Sequence, residues 1–205
     1  MAREDRRSPA TIRCGRNTPV NRLDLKNCIV TMPDKDAAPA VVLYGGLMGW
    51  EGEWFLKHNR IPATMLQSVY LIMPTHFTNK CKDCLDEFRA KVNPANIAAY
   101  SLCGFSRGAQ EVYRNRSLEQ WKILGLIDPS APTLDIFKDE VLDSFAGKIR
   151  CVYWVPNWGA DGYHGRVPRF AQHLRDLKVK MVEQAVAHEN MPTFFFSQFG
   201  SEFTS

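Results

Sequence analysis

None of the 205 residues belongs to a run approaching the roughly 18 apolar residues that a membrane-crossing helix needs. The arginines at the N-terminus are not followed by an apolar core, so a cleavable leader is not expected. Charge of one sign is scarce outside that terminus. Residues 1 to 16 hold five arginines against Glu4 and Asp5, a surplus of three within a formal net charge of +4, which leaves the remaining 189 residues near +1. A body so nearly neutral is not a nucleic-acid-binding surface. Residues 1–10 are expected to form a polar, basic and mobile tail. Cysteine pattern is lacking too. The pair Cys81-Lys-Asp-Cys84 has no second pair at similar spacing, so it cannot complete a four-cysteine zinc site. Repeats, low-complexity tracts and linkers are absent.

What is present is an ordinary core composition. Hydrophobic residues make up 45% and charged residues 23%, enough to bury one substantial core but not two over this length. A single domain is expected over residues 11–205. Cys103 and Cys151 fall inside apolar runs, so reduced thiols and a cytoplasmic setting are the expectation.

The apolar runs are strand-sized. Ala40 to Tyr44, Val69 to Met73, Ile97 to Cys103, Ile123 to Ile127 and Ile149 to Val155 are continuous rather than alternating. Continuous runs mark strands buried on both faces of a parallel sheet. Thr11 to Cys14, Cys28 to Met32 and Val179 to Ala187 are further extended candidates. Helical spacing separates the runs: a short helix around Trp54 to Leu56, then Asn79 to Val92, a helix from Ala109 to about Trp121, Thr133 to Phe145, and Val167 to Leu177. Alternation of this kind predicts an α/β fold, a mostly parallel sheet covered by helices on both faces.

The stretch with chemical content is Gly104-Phe105-Ser106-Arg107-Gly108. An apolar strand precedes it, and Ala109, Val112 and Tyr113 follow at helical spacing. Strand, G-x-S-x-G, helix is the context of a nucleophile elbow, in which the serine is lifted off the sheet edge on a tight turn. The two glycines remove Cβ atoms where strand and helix approach.

A serine hydroxyl is a weak nucleophile and needs a histidine base oriented by a carboxylate. Parallel strands bring their C-terminal loops to one edge, so partners should stand after later strands. Asp161, in Asn157-Trp-Gly-Ala-Asp-Gly162, follows the strand ending at Val155, and His188 follows the last extended segment. Asp128, one strand earlier, is the rival acid, although Asp-Pro-Ser also suits a turn in which the carboxylate caps its own backbone. The backbone N–H of Arg107 and that of Gly46 or Leu47, in Tyr44-Gly-Gly-Leu47, are candidate oxyanion donors.

These residues together resemble the α/β-hydrolase superfamily over roughly Val41 to Pro192. The resemblance implies Ser106 as nucleophile, His188 as base, Asp161 as orienting acid, a small-molecule acyl substrate such as a carboxylic ester, and no cofactor or metal. Tyr44 departs from the histidine often found there in the family. Spacings of about 20 residues after Ser106 and after Asp128 leave no room for a large cap domain.

Three remaining features receive other readings. Cys81 and Cys84 read as a surface or half-buried helix pair, because a loop separates them from the preceding strand, unlike a redox motif. Phe194, Phe195, Phe196 and Phe199 read as a terminal segment packed on the core, with an acyl-binding or membrane-touching patch as the rival. Trp50, Trp54, Trp158 and Tyr163 flank the catalytic loops and suit the wall of an apolar or sugar-stacking pocket.

Overall fold

Nine strands form one sheet in the order β1-β2-β3-β5-β4-β6-β7-β8-β9 in a computed structural model that describes residues 10–14, 18–46, 51–76, 79–129, 143–154 and 166–205. The N-terminal strands β1 (Ala10–Cys14), β2 (Thr18–Asp24) and β3 (Cys28–Met32) are antiparallel, and β3 joins β5 (Tyr70–Pro74) antiparallel. From there the sheet is parallel, through β4 (Ala38–Tyr44), β6 (Ile97–Phe105), β7 (Leu124–Ile127), β8 (Ile149–Trp154) and β9 (Lys180–Gln184). The five continuous apolar runs are the five central strands, β4 to β8.

Among the described residues, six helices cover the two faces. On one face, α3 (Cys81–Arg89), α4 (Ala109–Asn115) and α5 (Arg166–Asp176) pack on Val42, Ile72, Leu102, Leu126 and Cys151. On the other, α1 (Gly52–Lys57), α2 (Ala63–Ser68) and α6 (Met191–Thr204) pack on Val41, Leu71, Cys103, Ile127 and Val152. Neighbouring strand residues thus alternate between two cores although all are apolar, because successive side chains leave a strand on opposite faces.

The phenylalanine-rich terminus is the 14-residue helix α6. Phe195, Phe196, Phe199 and Phe203 are buried, and Phe195 meets the other three edge-on with ring centroids 5.2 to 5.8 Å apart. Packing on the core accounts for them. Cys81 and Cys84 correct the surface reading: both are fully buried on the inner side of α3, with Cys84 Sγ 3.6 Å from the carbonyl of Asn27. Burial pushes the Cys81 thiol well above its ordinary range, which disfavours the thiolate. The helix after the elbow also ends early, at Asn115; Trp121 lies beyond it, buried, with its indole N–H donating to the Asn115 carbonyl at 2.8 Å.

The fold is a single α/β domain, and among the described residues there is no cap domain and no helix long and apolar enough to cross a membrane. The tail at residues 1–9 and most of the helix expected over Thr133 to Phe145 lie outside the described residues.

Candidate active site

Three neighbouring parallel strands end at one level of the sheet. Tyr44 of β4 pairs with Gly104 of β6, Gly104 with Leu126 of β7, and Phe105 with Ile127. The next residue in each chain is therefore at the sheet edge: Gly45, then Ser106, then Asp128. Ser106 and Asp128 both leave their strands in the left-handed region, with φ of 54° and 42°. Such a backbone costs a non-glycine residue about 1–2 kcal/mol. It persists where the surrounding packing enforces it.

That packing is visible at the elbow. Ser106–Gly108 forms one tight turn leading into α4. A Cβ on Gly104 would fall 2.6 Å from Ala109 Cα, and one on Gly108 would fall 2.7 Å from the Tyr44 carbonyl oxygen. The turn is thus pressed against strand β6 on one side and against Tyr44-Gly45 on the other. Ser106 is partly exposed and Arg107 is exposed, between the buried residues Phe105 and Gly108. Tyr44 itself is fully buried, and its hydroxyl donates to the Asn79 carbonyl at 2.6 Å. Its ring packs on the face covered by α3 and α4, and the carbonyl of the next residue, Gly45, lies against Gly108.

His188 begins a short turn, His188–Asn190, between β9 and α6. Its Nδ1 is hydrogen-bonded to Asp128 Oδ2, and the carboxylate is fully buried while the imidazole is partly exposed. The backbone N–H of Asp128 donates to the Val152 carbonyl at 2.7 Å, which fixes where the carboxylate emerges. One face of the imidazole lies against Phe105, with ring centroids 4.6 Å apart and planes inclined by 32°. His188 is therefore packed on the residue that immediately precedes Ser106. With the proton on Nδ1 directed at the carboxylate, the basic lone pair of the neutral ring is on Nε2.

The structure thus brings Ser106, His188, Asp128, Gly46 and Arg107 to one sheet edge. Asp161, the acid favoured by the sequence, and Leu47, one of the two oxyanion alternatives, lie outside the described residues, as do Trp50, Trp158 and Tyr163. Asp128, the rival acid, has an Asp-Pro-Ser context that reads in the sequence as a self-capping turn, whereas its carboxylate meets His188 in the structure. The signal in its favour was the even ending of two apolar runs, Cys103-Gly-Phe105 and Leu126-Ile127, each followed at once by a polar residue. Among the described residues no group of His, Cys, Asp or Glu is arranged to hold a metal ion.

The architecture is that of the α/β-hydrolase fold. An esterase of Pyrococcus furiosus superposes with a TM-score of 0.59, at 9% identity over 96% of this chain and 91% of that one. A thioesterase domain from the curacin biosynthetic pathway gives 0.57, at 12% identity over 91% and 99%. Est1E from Butyrivibrio proteoclasticus gives 0.54, at 14% identity over 89% and 98%. No protein-family profile and no curated protein sequence matches the chain.

Proposed function

We propose that this protein is a serine hydrolase that cleaves a carboxylic ester or a related acyl bond, with Ser106 as nucleophile, His188 as base and Asp128 as the orienting acid. The observation that carries the reading is the hydrogen bond from His188 Nδ1 to the buried Asp128 carboxylate, made beside a serine on a left-handed turn. That bond favours the tautomer that carries its proton on Nδ1 and its basic lone pair on Nε2, and it stabilises the imidazolium formed when the serine proton is taken up.

The chemistry then runs in two halves. Ser106 Oγ attacks the acyl carbon while His188 takes its proton, and the charge developing on the carbonyl oxygen is met by backbone donors, Arg107 N–H and that of Gly46 or Leu47. Collapse of the tetrahedral intermediate returns the proton to the leaving alcohol and forms the acyl-enzyme. Water, deprotonated by His188, attacks the acyl-enzyme and restores the serine. Apart from substrate and water, these steps use side chains and backbone groups of the chain. Two of the structural neighbours carry the names esterase and thioesterase, which fits an acyl-transfer reading of this scaffold. Asp161 remains the rival acid.

Ser106→Ala is expected to abolish hydrolysis of p-nitrophenyl acetate and butyrate while the melting temperature barely moves. Fluorophosphonate should label the wild-type chain and not the variant. Unchanged turnover by Ser106→Ala would sink the mechanism, and a wild-type chain inert to the label would favour a binding protein on the same scaffold.

A further inference from the structure

Asp128 holds His188 at a single atom, and a ring held at one atom can still pivot. The turn that carries it is weakly placed by its own sequence, since it follows β9, a sheet-edge strand none of whose side chains is fully buried. Something else must locate it.

A closed circuit of contacts does so, and Arg60 is its only member from the α1–α2 connection. The Arg60 Nη1 donates to Asn190 Oδ1, two residues after His188 in the same turn. The Arg60 carbonyl accepts from Thr193 Oγ1 at 3.0 Å, and its N–H donates to the Phe55 carbonyl at 2.9 Å. Its guanidinium carbon lies 5.5 Å from the centre of the Trp54 ring. Trp54 stacks on Phe105 with centroids 6.1 Å apart and planes within 7°, and Phe105 carries the imidazole of His188. Arg60 therefore touches the His188 turn from one end of the circuit and the aromatic column beneath His188 from the other. Its Nε is buried without a hydrogen-bond partner. Desolvating part of a guanidinium in this way is unfavourable, so stability alone is a poor reason for an arginine here.

We infer that Arg60 is a positioning residue for His188: it clamps the turn through Asn190 while backing the Trp54–Phe105 column on which the imidazole rests. The inference builds on the reading of His188 as the base, but the clamp itself is measurable without catalysis. It predicts that the loss of the guanidinium loosens the base without altering the pocket that binds substrate.

The test uses Arg60→Met, which keeps the apolar stem over Trp54, and Asn190→Ala, which removes the acceptor. Each variant of the full chain should lower kcat for p-nitrophenyl butyrate by about ten- to a hundredfold, the scale of a displacement near 1 Å of a reacting group. KM should stay within about twofold, since ground-state binding is untouched. Combining the two should add no loss beyond that of Arg60→Met, because Asn190→Ala removes a hydrogen bond that Arg60→Met has already removed. Hydrogen exchange should rise in the segment 186–193 and not in β4 to β7. Wild-type kcat together with unchanged exchange in 186–193, in either variant, overturns the clamp. So does a loss of protection spread evenly over the sheet, which would make Arg60 a general stabiliser. If wild-type Ser106 fails to react with fluorophosphonate, the catalytic reading falls, and the exchange measurement still decides the clamp.

Discussion

Asp128 and His188, separated by 60 residues in the chain, meet through Oδ2 and Nδ1 at the edge where β6 and β7 end. A buried carboxylate is costly unless it is paired, and here its partner is the imidazole that packs on the neighbour of Ser106. The relationship assigns a tautomer to His188 and ties the last turn before α6 to the centre of the sheet.

Asp128→Asn keeps the shape of that contact but lets the amide fix the wrong tautomer. The expected result is a fall in kcat of about 10³- to 10⁴-fold with little change in the unfolding midpoint. Asp161→Asn, assayed beside it on the same p-nitrophenyl ester, should retain most of the activity. The opposite pattern would return the role of acid to Asp161.

Gly108→Ala tests the elbow. The added methyl would sit 2.7 Å from the Tyr44 carbonyl oxygen, and a backbone atom cannot swing aside as a flexible side chain can. Overpacking of this kind typically costs about 1–3 kcal/mol, equivalent to about 2–4 °C of melting temperature per kcal/mol in a chain of this size. Activity should fall as well, because the displaced segment, Tyr44 to Gly46, includes a proposed oxyanion donor. Gly147→Ala is the control, since nothing lies within 4 Å of its added Cβ. Thermal scans of the two variants side by side decide the matter.

Glu202 near the end of α6 ties that helix to β8 and β9. It accepts from Arg150 at 2.8–2.9 Å and from Lys180 at 3.2 Å. The Arg150 hydrogen bond, and secondarily that of Lys180, holds the Glu202 carboxyl below its ordinary value. A carboxyl lowered in the folded state binds its proton more readily when unfolded, so its stabilisation is complete above the ordinary glutamate range, near 4.3. It is lost as the pH falls through the lowered folded value. Glu202→Gln should therefore cost stability at pH 7, about 1 kcal/mol for a partly exposed charged hydrogen bond. The difference from wild type should shrink towards pH 3. A urea midpoint measured at both pH values checks this, and a difference independent of pH would refute it.

Much of the sheet was legible in the sequence. Ala40 to Tyr44, Val69 to Met73 and Ile149 to Val155 match β4, β5 and β8 to within about two residues, because a strand buried on both faces must be apolar at every position. Strand β2 was not legible. Thr18–Asp24 contains Pro19, Asn21, Arg22 and Asp24, and its extended form comes from ladders with β1 and β3 rather than from its own residues. The helix α6 was hidden as well, since Phe194-Phe-Phe196 satisfies a strand pattern as readily as a helical one. Only the two-sided core chose between them.

By itself the sequence determined the central strands and the tight turn at Ser106. A G-x-S-x-G between an apolar run and a helical pattern is a local steric statement: glycines at 104 and 108 leave room for one strained serine, and no distant residue is needed to say so. The partner of His188 was decided only by the tertiary structure. Which carboxylate reaches Nδ1 depends on β7 lying next to β6, on Phe105 pairing with Ile127, and on a turn beyond β9 being carried back across the sheet to Phe105. These are relations of register and strand order, set by the burial of both faces at once. No short stretch of sequence carries them.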